Sequence, residues 1–433
     1  MNIVQITPGA GKMYCGNCFR DNALVEALRK GGHSTTMVPL YLPITLDDVD
    51  QSAGTPTFFG GVNVYLDQRL PAFRKAPRWM RNLLSRPELL RWASGRAART
   101  KASEVGDLTV SMLRGEEGHQ VAELDTLISW LKTQPKLDVI SLSNALLIGL
   151  ARRLKQEFPA LIVCNLQGED SFLDSLPEVH RPAAWRLISE RCRDVDLLVA
   201  PSRYFADLMT QRLQLNPGHV QVIYNGIKPE GFSPAAAPPN PPVLGFFARM
   251  CPEKGLDTLV DAFLILKERN RVKDLRLHVG GSLGPADERF VAGLRKKLAD
   301  YKESYQFFPN VDLDAKQDFY RSLTVMSVPA RYSEAFGLYV IEALACGVPV
   351  VQPSVSAFPE IIAATGGGVL CKPNDPQSLA EAVEPLLTDL IRARGLGNNG
   401  RQNVMQQFTA DTMAKNFIVA MGNRKLPGKP ARV

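Results

Sequence analysis

The sequence predicts an α/β protein built from two doubly wound parallel-sheet domains in tandem, and three observations predict it. Strand and helix signals alternate twice along the chain, a proline-rich stretch interrupts them once, and 433 residues exceed what one ordinary core holds. With 45% hydrophobic and 22% charged residues, and with Gly and Pro lacking any repeating period, the chain is neither disordered nor fibrous.

The first alternation opens with a strand over Asn2 to Thr7, a glycine loop at Gly9-Ala10-Gly11, a helix over Arg20 to Lys30 and a strand over His33 to Val38. It resumes with a strand at Asp138 to Leu142, a helix at Ala145 to Gln156, a strand at Leu161 to Leu166, a helix near Ala183 to Arg193, a strand at Val195 to Ala200 and a helix at Tyr204 to Leu213. This gives an N-terminal domain over 1–228, carrying a basic helical insertion at about 69–131. Between Pro229 and Pro242 six residues of fourteen are proline, so neither helix nor sheet continues, and 229–242 is expected as a linker.

The second alternation, over 243–405, has strands at Val243 to Ala248, Leu275 to Val279, Tyr305 to Phe308, Thr324 to Val328 and Val348 to Val351. Its helices are expected at Leu256 to Arg269, Asp287 to Tyr301, Lys316 to Ser322 and Phe336 to Cys346, with more from Pro376 onward. A C-terminal helix and a basic tail, Asn423 to Val433, occupy 406–433.

No apolar run reaches the roughly 18 residues of a membrane-spanning helix. The first residues lack a basic region ahead of their apolar stretch, so a strand is expected there and not a signal peptide. Seven scattered cysteines argue against a disulfide framework and for a reducing cytoplasm. Cys15 and Cys18 have metal-type spacing but no second pair, so structural packing is the expected role and no metal site is expected.

Parallel sheets bind ligands at the carboxyl ends of their strands. After the strand ending at Ala248 come two cations five residues apart, Arg249 and Lys254. After the strand ending at Val328 come two carboxylates eight residues apart, Glu334 and Glu342, the second inside a helix. Wholly helical spacing would separate these acids by about 12 Å, beyond the roughly 5 to 9.5 Å of a glycosidase pair. The pattern therefore suits a diphosphate neutralised by Arg249 and Lys254, with the start of the 336–346 helix adding backbone donors. Glu334 and Glu342 would accept hydrogen bonds from hydroxyls on either side, those of a sugar and of a ribose. The competing readings are a solvated helix start for the acids and a surface ion pair with Glu253 for the cations.

These residues resemble the retaining glycosyltransferases of family 4. The matching stretches are Asn225-Gly226-Ile227 with Phe232-Ser233-Pro234, Phe247-Ala248-Arg249 with Lys254-Gly255, Glu334 to Glu342 with Ala345-Cys346-Gly347-Val348-Pro349-Val350, and Pro359-Glu360-Ile361 with Gly368. The resemblance implies a GT-B fold, two Rossmann-like domains facing across a cleft, and a nucleotide diphosphate sugar as donor with no cofactor. It implies Arg249 and Lys254 on the diphosphate, Glu334 on the transferred sugar, Glu342 on the ribose, and the backbone of Phe336, Gly337 and Leu338 near the phosphate. The loop at Gly9, Ala10 and Gly11 would face the donor.

Where family members often carry a histidine, this chain has Gln167, followed by Gly168, Glu169 and Asp170. Glutamine can hydrogen-bond a hydroxyl but cannot titrate. The family's usual scheme, in which the leaving phosphate takes the acceptor proton, needs no histidine, and Glu169 or Asp170 are the alternatives as base or nucleophile. Asn17, Arg20, Asp21 and Asn22 either line an acceptor cleft or cap a helix. Gly9-Ala10-Gly11-Lys12 lacks the spacing of a nucleotide-hydrolysing phosphate loop. A sugar-nucleotide isomerase or epimerase on the same fold, or a catalytically silent sugar-nucleotide-binding protein, are the rival functions.

The chain's net charge of +7 has a local source. Residues 69–101 hold ten basic side chains and one acid, Glu88, so the remainder is weakly acidic and a general nucleic-acid surface is not expected. The segment reads either as a helical hairpin with solvated arginines or as a cationic amphipathic element, bearing Trp79 and Trp92, that contacts an anionic membrane or lipid-linked acceptor. Co-sedimentation with anionic liposomes at low salt separates the two: binding supports the membrane contact, and its absence the solvated hairpin.

Overall fold

The computed structural model describes residues 1–9, 16–42, 44, 48–70, 72–73, 80 and 102–422. They fall into two compact units, one formed by Met1–Tyr224 with the chain from Met413 onward, the other by Asn225–Thr412. The loop residues Ala10 and Gly11, Cys15, the arginine-rich stretch with Trp79 and Trp92, and the basic tail lie outside the described residues.

The first unit is organised by β1 (Asn2–Thr7), β2 (Ser34–Pro39), β3 (Val139–Leu142), β4 (Leu161–Asn165), β5 (Leu197–Ala200) and β6 (Val220–Val222). They form one sheet in the order β2-β1-β3-β4-β5-β6, every pairing parallel. Strands β3, β4 and β5 are buried along their whole length, which is why their sequences run apolar instead of alternating. β6, at three residues, is too short to leave a periodic signal.

The helix after β1 spans Gly16–Lys30, starting earlier than its apolar pattern suggested. The segment expected as one helix after β3 is a 3-10 turn, Ala145–Leu150, followed by an α-helix, Ala151–Glu157. Asn144 caps it by accepting from the Leu146 N–H. Close packing of the backbone at Gly149, where a Cβ would lie 2.2 Å from the Met112 carbonyl oxygen, holds the chain in the tighter turn. Helices Ala102–Arg114 and Val121–Leu131 bury Leu113, Leu124, Leu127, Ile128 and Leu131 in this unit.

A buried polar network ties the carboxyl end of this sheet to its first helix. Asp21 accepts from the Thr7 hydroxyl and from Arg20, each at 2.7 Å, and Arg20 also donates to Asn165 Oδ1 at 2.7 Å. Asn165 in turn donates to the Leu142 carbonyl at 2.8 Å and to Ser141 at 3.1 Å. Strands β1, β3 and β4 and the helix are thereby held in one register.

The second unit contains β7 (Val243–Phe247), β8 (Arg276–Gly281), β9 (Tyr305–Pro309), β10 (Val325–Met326), β11 (Val350–Pro353) and β12 (Gly368–Cys371). The sheet is parallel, in the order β12-β11-β10-β7-β8-β9. Read from its other edge this is the 3-2-1-4-5-6 order of a dinucleotide-binding sheet. Residues 229–242, expected as a linker, cluster with this unit. Phe232 is buried against Tyr320 with ring centroids 6.3 Å apart, Arg321 donates to the Gly231 carbonyl at 2.8 Å, and Gln317 donates to the Glu230 carbonyl.

Removing one member of the Arg20–Asp21 pair leaves a buried charge uncompensated. Asp21→Ala is expected to lower unfolding free energy by about 3–5 kcal/mol, measured as a lower urea midpoint with an unchanged slope.

Candidate functional site

In the second unit the winding direction reverses between β7 and β10, so the loops that follow them diverge and leave a crevice at the carboxyl edge. The first loop carries Arg249 and Lys254, the second Glu334, with Glu342 on the helix that follows. Gly255 brings the two loops together. Its φ of +71 suits glycine, and a Cβ there would lie 2.0 Å from the Pro329 carbonyl oxygen on the second loop.

That approach places Lys254 Nζ 2.5 Å from Glu334 Oε2, with both side chains only 14% exposed. The Tyr332 and Tyr339 rings flank the ammonium, with centroids 4.9 and 5.2 Å from Nζ. Burial disfavours the Lys254 charge, but the adjacent Glu334 carboxylate outweighs this and raises its pKa. The hydroxyl of Tyr339 donates to the same Glu334 oxygen at 2.8 Å. An ammonium buried to this degree needs a counter-charge, and Glu334 supplies it, a pairing that the sequence reading of Glu334 as an acceptor from a sugar hydroxyl did not include.

Glu253, the expected partner in a surface ion pair, is not what holds these cations. Arg249 forms a two-point contact with Asp287, Nε to Oδ2 at 2.8 Å and Nη2 to Oδ1 at 3.1 Å. Arg249 is 57% exposed while Asp287 is 8% exposed, so a buried acid on the loop after β8 aims a largely solvated guanidinium. These hydrogen bonds raise the Arg249 pKa further, securing its charge.

Glu342 lies in the helix Leu338–Ala345, which is shorter than expected and begins after Gly337 at φ +86. One carboxylate oxygen of Glu342 accepts from Lys316 at 3.1 Å and the other from the Tyr320 hydroxyl at 2.8 Å. Phe336 is buried beside this helix start. Asp287, Lys316, Tyr320, Tyr332 and Tyr339 were not found from the sequence. Asp287 had a usable signal, because it follows the strand beside β7 and obeys the rule that singled out Arg249.

The first unit has a comparable reversal between β1 and β3. Gly9, after β1, has φ +72, and a Cβ there would lie 1.8 Å from the Leu42 carbonyl oxygen. Arg20, Asp21 and Asn22 neither line an open surface nor cap the helix. They are 1%, 0% and 2% exposed, and the Asn22 side chain joins the Val49 carbonyl and the Gln51 N–H. Asn17, on the same helix, is only partly buried.

Glu169 is 4% exposed, and its two oxygens accept from the Ala145 N–H at 2.7 Å and the Gln167 N–H at 2.8 Å, pinning the loops after β3 and β4. Asp170, beside it at the start of the helix Glu169–Ser175, is likewise buried, and Gln167 is half-buried. Cys18 is fully buried in an apolar cluster with Val25, Met37 and Ile44. Among the described residues, no group of three or more His, Cys, Asp or Glu side chains is placed to hold a metal ion, and no helix is long and apolar enough to cross a membrane.

Residues 228–403 match the family described as glycosyl transferases group 1, and residues 95–230 match glycosyltransferase family 4. The chain carries both glycosyltransferase domains. It is 32% identical over 249 residues to D-inositol 3-phosphate glycosyltransferase 2 of Catenulispora acidiphila, covering 54% of this chain and 53% of that protein. The chain spans about half the length of the curated relatives it matches.

Among solved structures it resembles sucrose-phosphate synthase from Thermosynechococcus elongatus, with 20% identity, 98% of both chains covered and a TM-score of 0.68. It also resembles Anabaena HepE in complex with UDP-glucose, with 16% identity, 98% and 100% covered and a TM-score of 0.66. At these identities the likeness speaks for the fold, which is GT-B.

Burial pushes the Glu169 carboxyl up to about 7 against the backbone N–H groups of Ala145, Glu169 and Gln167, which favour its charge. Its folded pKa thus lies above the ordinary 4.5, and the folded state binds the extra proton between those values. Its contribution to stability is complete below about pH 4.5 and is lost as pH rises through 7, on the order of 3 kcal/mol. Chemical denaturation across this window is expected to show a downward slope that Glu169→Gln flattens.

Proposed function

We propose that the chain is a retaining hexosyltransferase, moving a sugar from a nucleotide diphosphate sugar to an acceptor hydroxyl. The observation that carries this reading is the gathering of Arg249, Lys254, Glu334 and Glu342 around the reversal of a 3-2-1-4-5-6 sheet. The two cations would meet a diphosphate, and the two carboxylates, each held by ordered partners, would accept from hydroxyls. The neighbour crystallised with UDP-glucose supports a donor of this class.

In the proposed reaction the bond from the anomeric carbon to the diphosphate oxygen breaks, and a bond from that carbon to the acceptor oxygen forms on the same face. The acceptor proton passes to the departing phosphate oxygen, so no side-chain base is required, in keeping with Glu169 being bound by backbone N–H groups. Charge developing on the diphosphate is stabilised by Arg249 and Lys254. Lys254 has three donor hydrogens, so it can serve Glu334 Oε2 and a phosphate oxygen together. No metal enters this scheme. Glu342, held by Lys316 and Tyr320, would receive the ribose hydroxyls. The reading includes a cytoplasmic location, with residues 69–101 available to meet a membrane surface or an anionic acceptor.

The test is release of nucleoside diphosphate from a donor panel, with acceptors that include inositol phosphate and sugar phosphates, the classes named by the relatives. Acceptor-dependent release with retained anomeric configuration is expected, together with activity unaffected by EDTA. Lys254→Ala and Glu334→Ala should each lower kcat/KM at least a hundredfold, about 2.7 kcal/mol. Turnover of the donor without acceptor would favour the isomerase reading, and binding without turnover the silent binding protein.

A further inference from the structure

We propose that Tyr339 is a positioning residue for the transferred sugar: its hydroxyl fixes the Glu334 carboxylate against Lys254, so that the second oxygen of that carboxylate is presented to a sugar hydroxyl. The inference rests on the nucleotide-sugar reading and assigns a residue that neither the sequence motifs nor the family resemblance singled out.

The geometry is specific. The Tyr339 hydroxyl and the Lys254 ammonium both end on Glu334 Oε2, at 2.8 and 2.5 Å, which leaves the Oε1 lone pairs outside both bonds. A glutamate side chain turns about three bonds, and two donors arriving at one oxygen from different directions restrict that freedom. Tyr339 is 8% exposed and sits at the start of the helix Leu338–Ala345, so its backbone is set by that helix and not by the hydroxyl.

Its ring rests against Phe358, with centroids 6.5 Å apart, and on Lys254. Burial, followed by the nearby Glu334 charge, holds the phenol pKa well above its ordinary value. The group therefore stays protonated and donates throughout the working pH range. Tyr332 covers the ammonium with its own ring. Lys254 is thus held by two rings, the Glu334 carboxylate and a side-chain hydrogen bond with Tyr332, while among the described residues the Tyr339 hydroxyl supplies the second bond to Glu334 Oε2.

A nucleoside diphosphate needs Lys254 but lacks the transferred sugar that Glu334 would meet. The same nucleotide with its sugar needs both. Loss of the Tyr339 hydroxyl therefore separates the two ligands, which a loss of packing would not do. Calorimetric titration of the wild type and Tyr339→Phe with matched pairs, UDP against UDP-glucose and GDP against GDP-mannose, reads the difference. The phenylalanine keeps the ring contacts with Phe358 and Lys254.

For the pair that the wild type binds, Tyr339→Phe is expected to weaken the nucleotide sugar about tenfold while the nucleoside diphosphate changes less than twofold. In a double-mutant cycle, Tyr339→Phe on the Glu334→Ala background should have no further effect on nucleotide-sugar binding. Equal weakening of both ligands, additive effects in the cycle, or unchanged nucleotide-sugar binding would each overturn the inference. A wild-type chain that binds no nucleotide sugar overturns the proposed function itself, and this inference with it.

Discussion

Reversal of winding in a parallel sheet is the constraint on which the second unit depends. Each parallel connection must cross a face of the sheet, and where successive connections turn opposite ways the loops after adjacent strands part. Here those strands are β7 and β10, and the loops carry the cations and the first acid. The crevice alone would leave them apart. The close backbone approach at Gly255 brings Lys254 within reach of Glu334, and the two tyrosines then shield the pair from water. Low local polarity strengthens the attraction between the two charges and raises the cost of leaving either unpaired.

The two units use polar burial in different ways. In the first, Arg20, Asp21, Thr7 and Asn165 hydrogen-bond one another inside the fold, and these bonds hold β1, β3 and β4 to a helix. In the second, Arg249 stays largely solvated while Asp287 beneath it is buried. Glu342 is similarly held by Lys316 and Tyr320, with its charge kept near the crevice. A side chain committed to internal partners maintains geometry, whereas one aimed by a buried partner keeps capacity for a ligand.

The resemblance to glycosyltransferases is carried by different evidence in the two halves. The 228–403 match contains the cations and both acids. In the first half, matched over 95–230, Glu169 bridges the loops after β3 and β4 through backbone N–H groups.

The sequence by itself determined the two parallel-sheet units, most strand positions and the four charged residues that follow β7 and β10. Long apolar strands and strand-end loops are local features, and periodicity and spacing record them. It did not show β6 or the helix Glu169–Ser175, which are too short for a period to emerge. Polar residues in Arg20 to Asn22 read equally as the lining of an acceptor cleft or as helix caps, because a paired buried charge and an exposed one read alike along the chain. Only the tertiary structure decided the partners: Lys254 with Glu334 across 80 residues, Arg249 with Asp287 across 38, and Glu342 with Tyr320 across 22. Strand order and backbone approach fix these pairings, and neither is written in the spacing of the residues that meet.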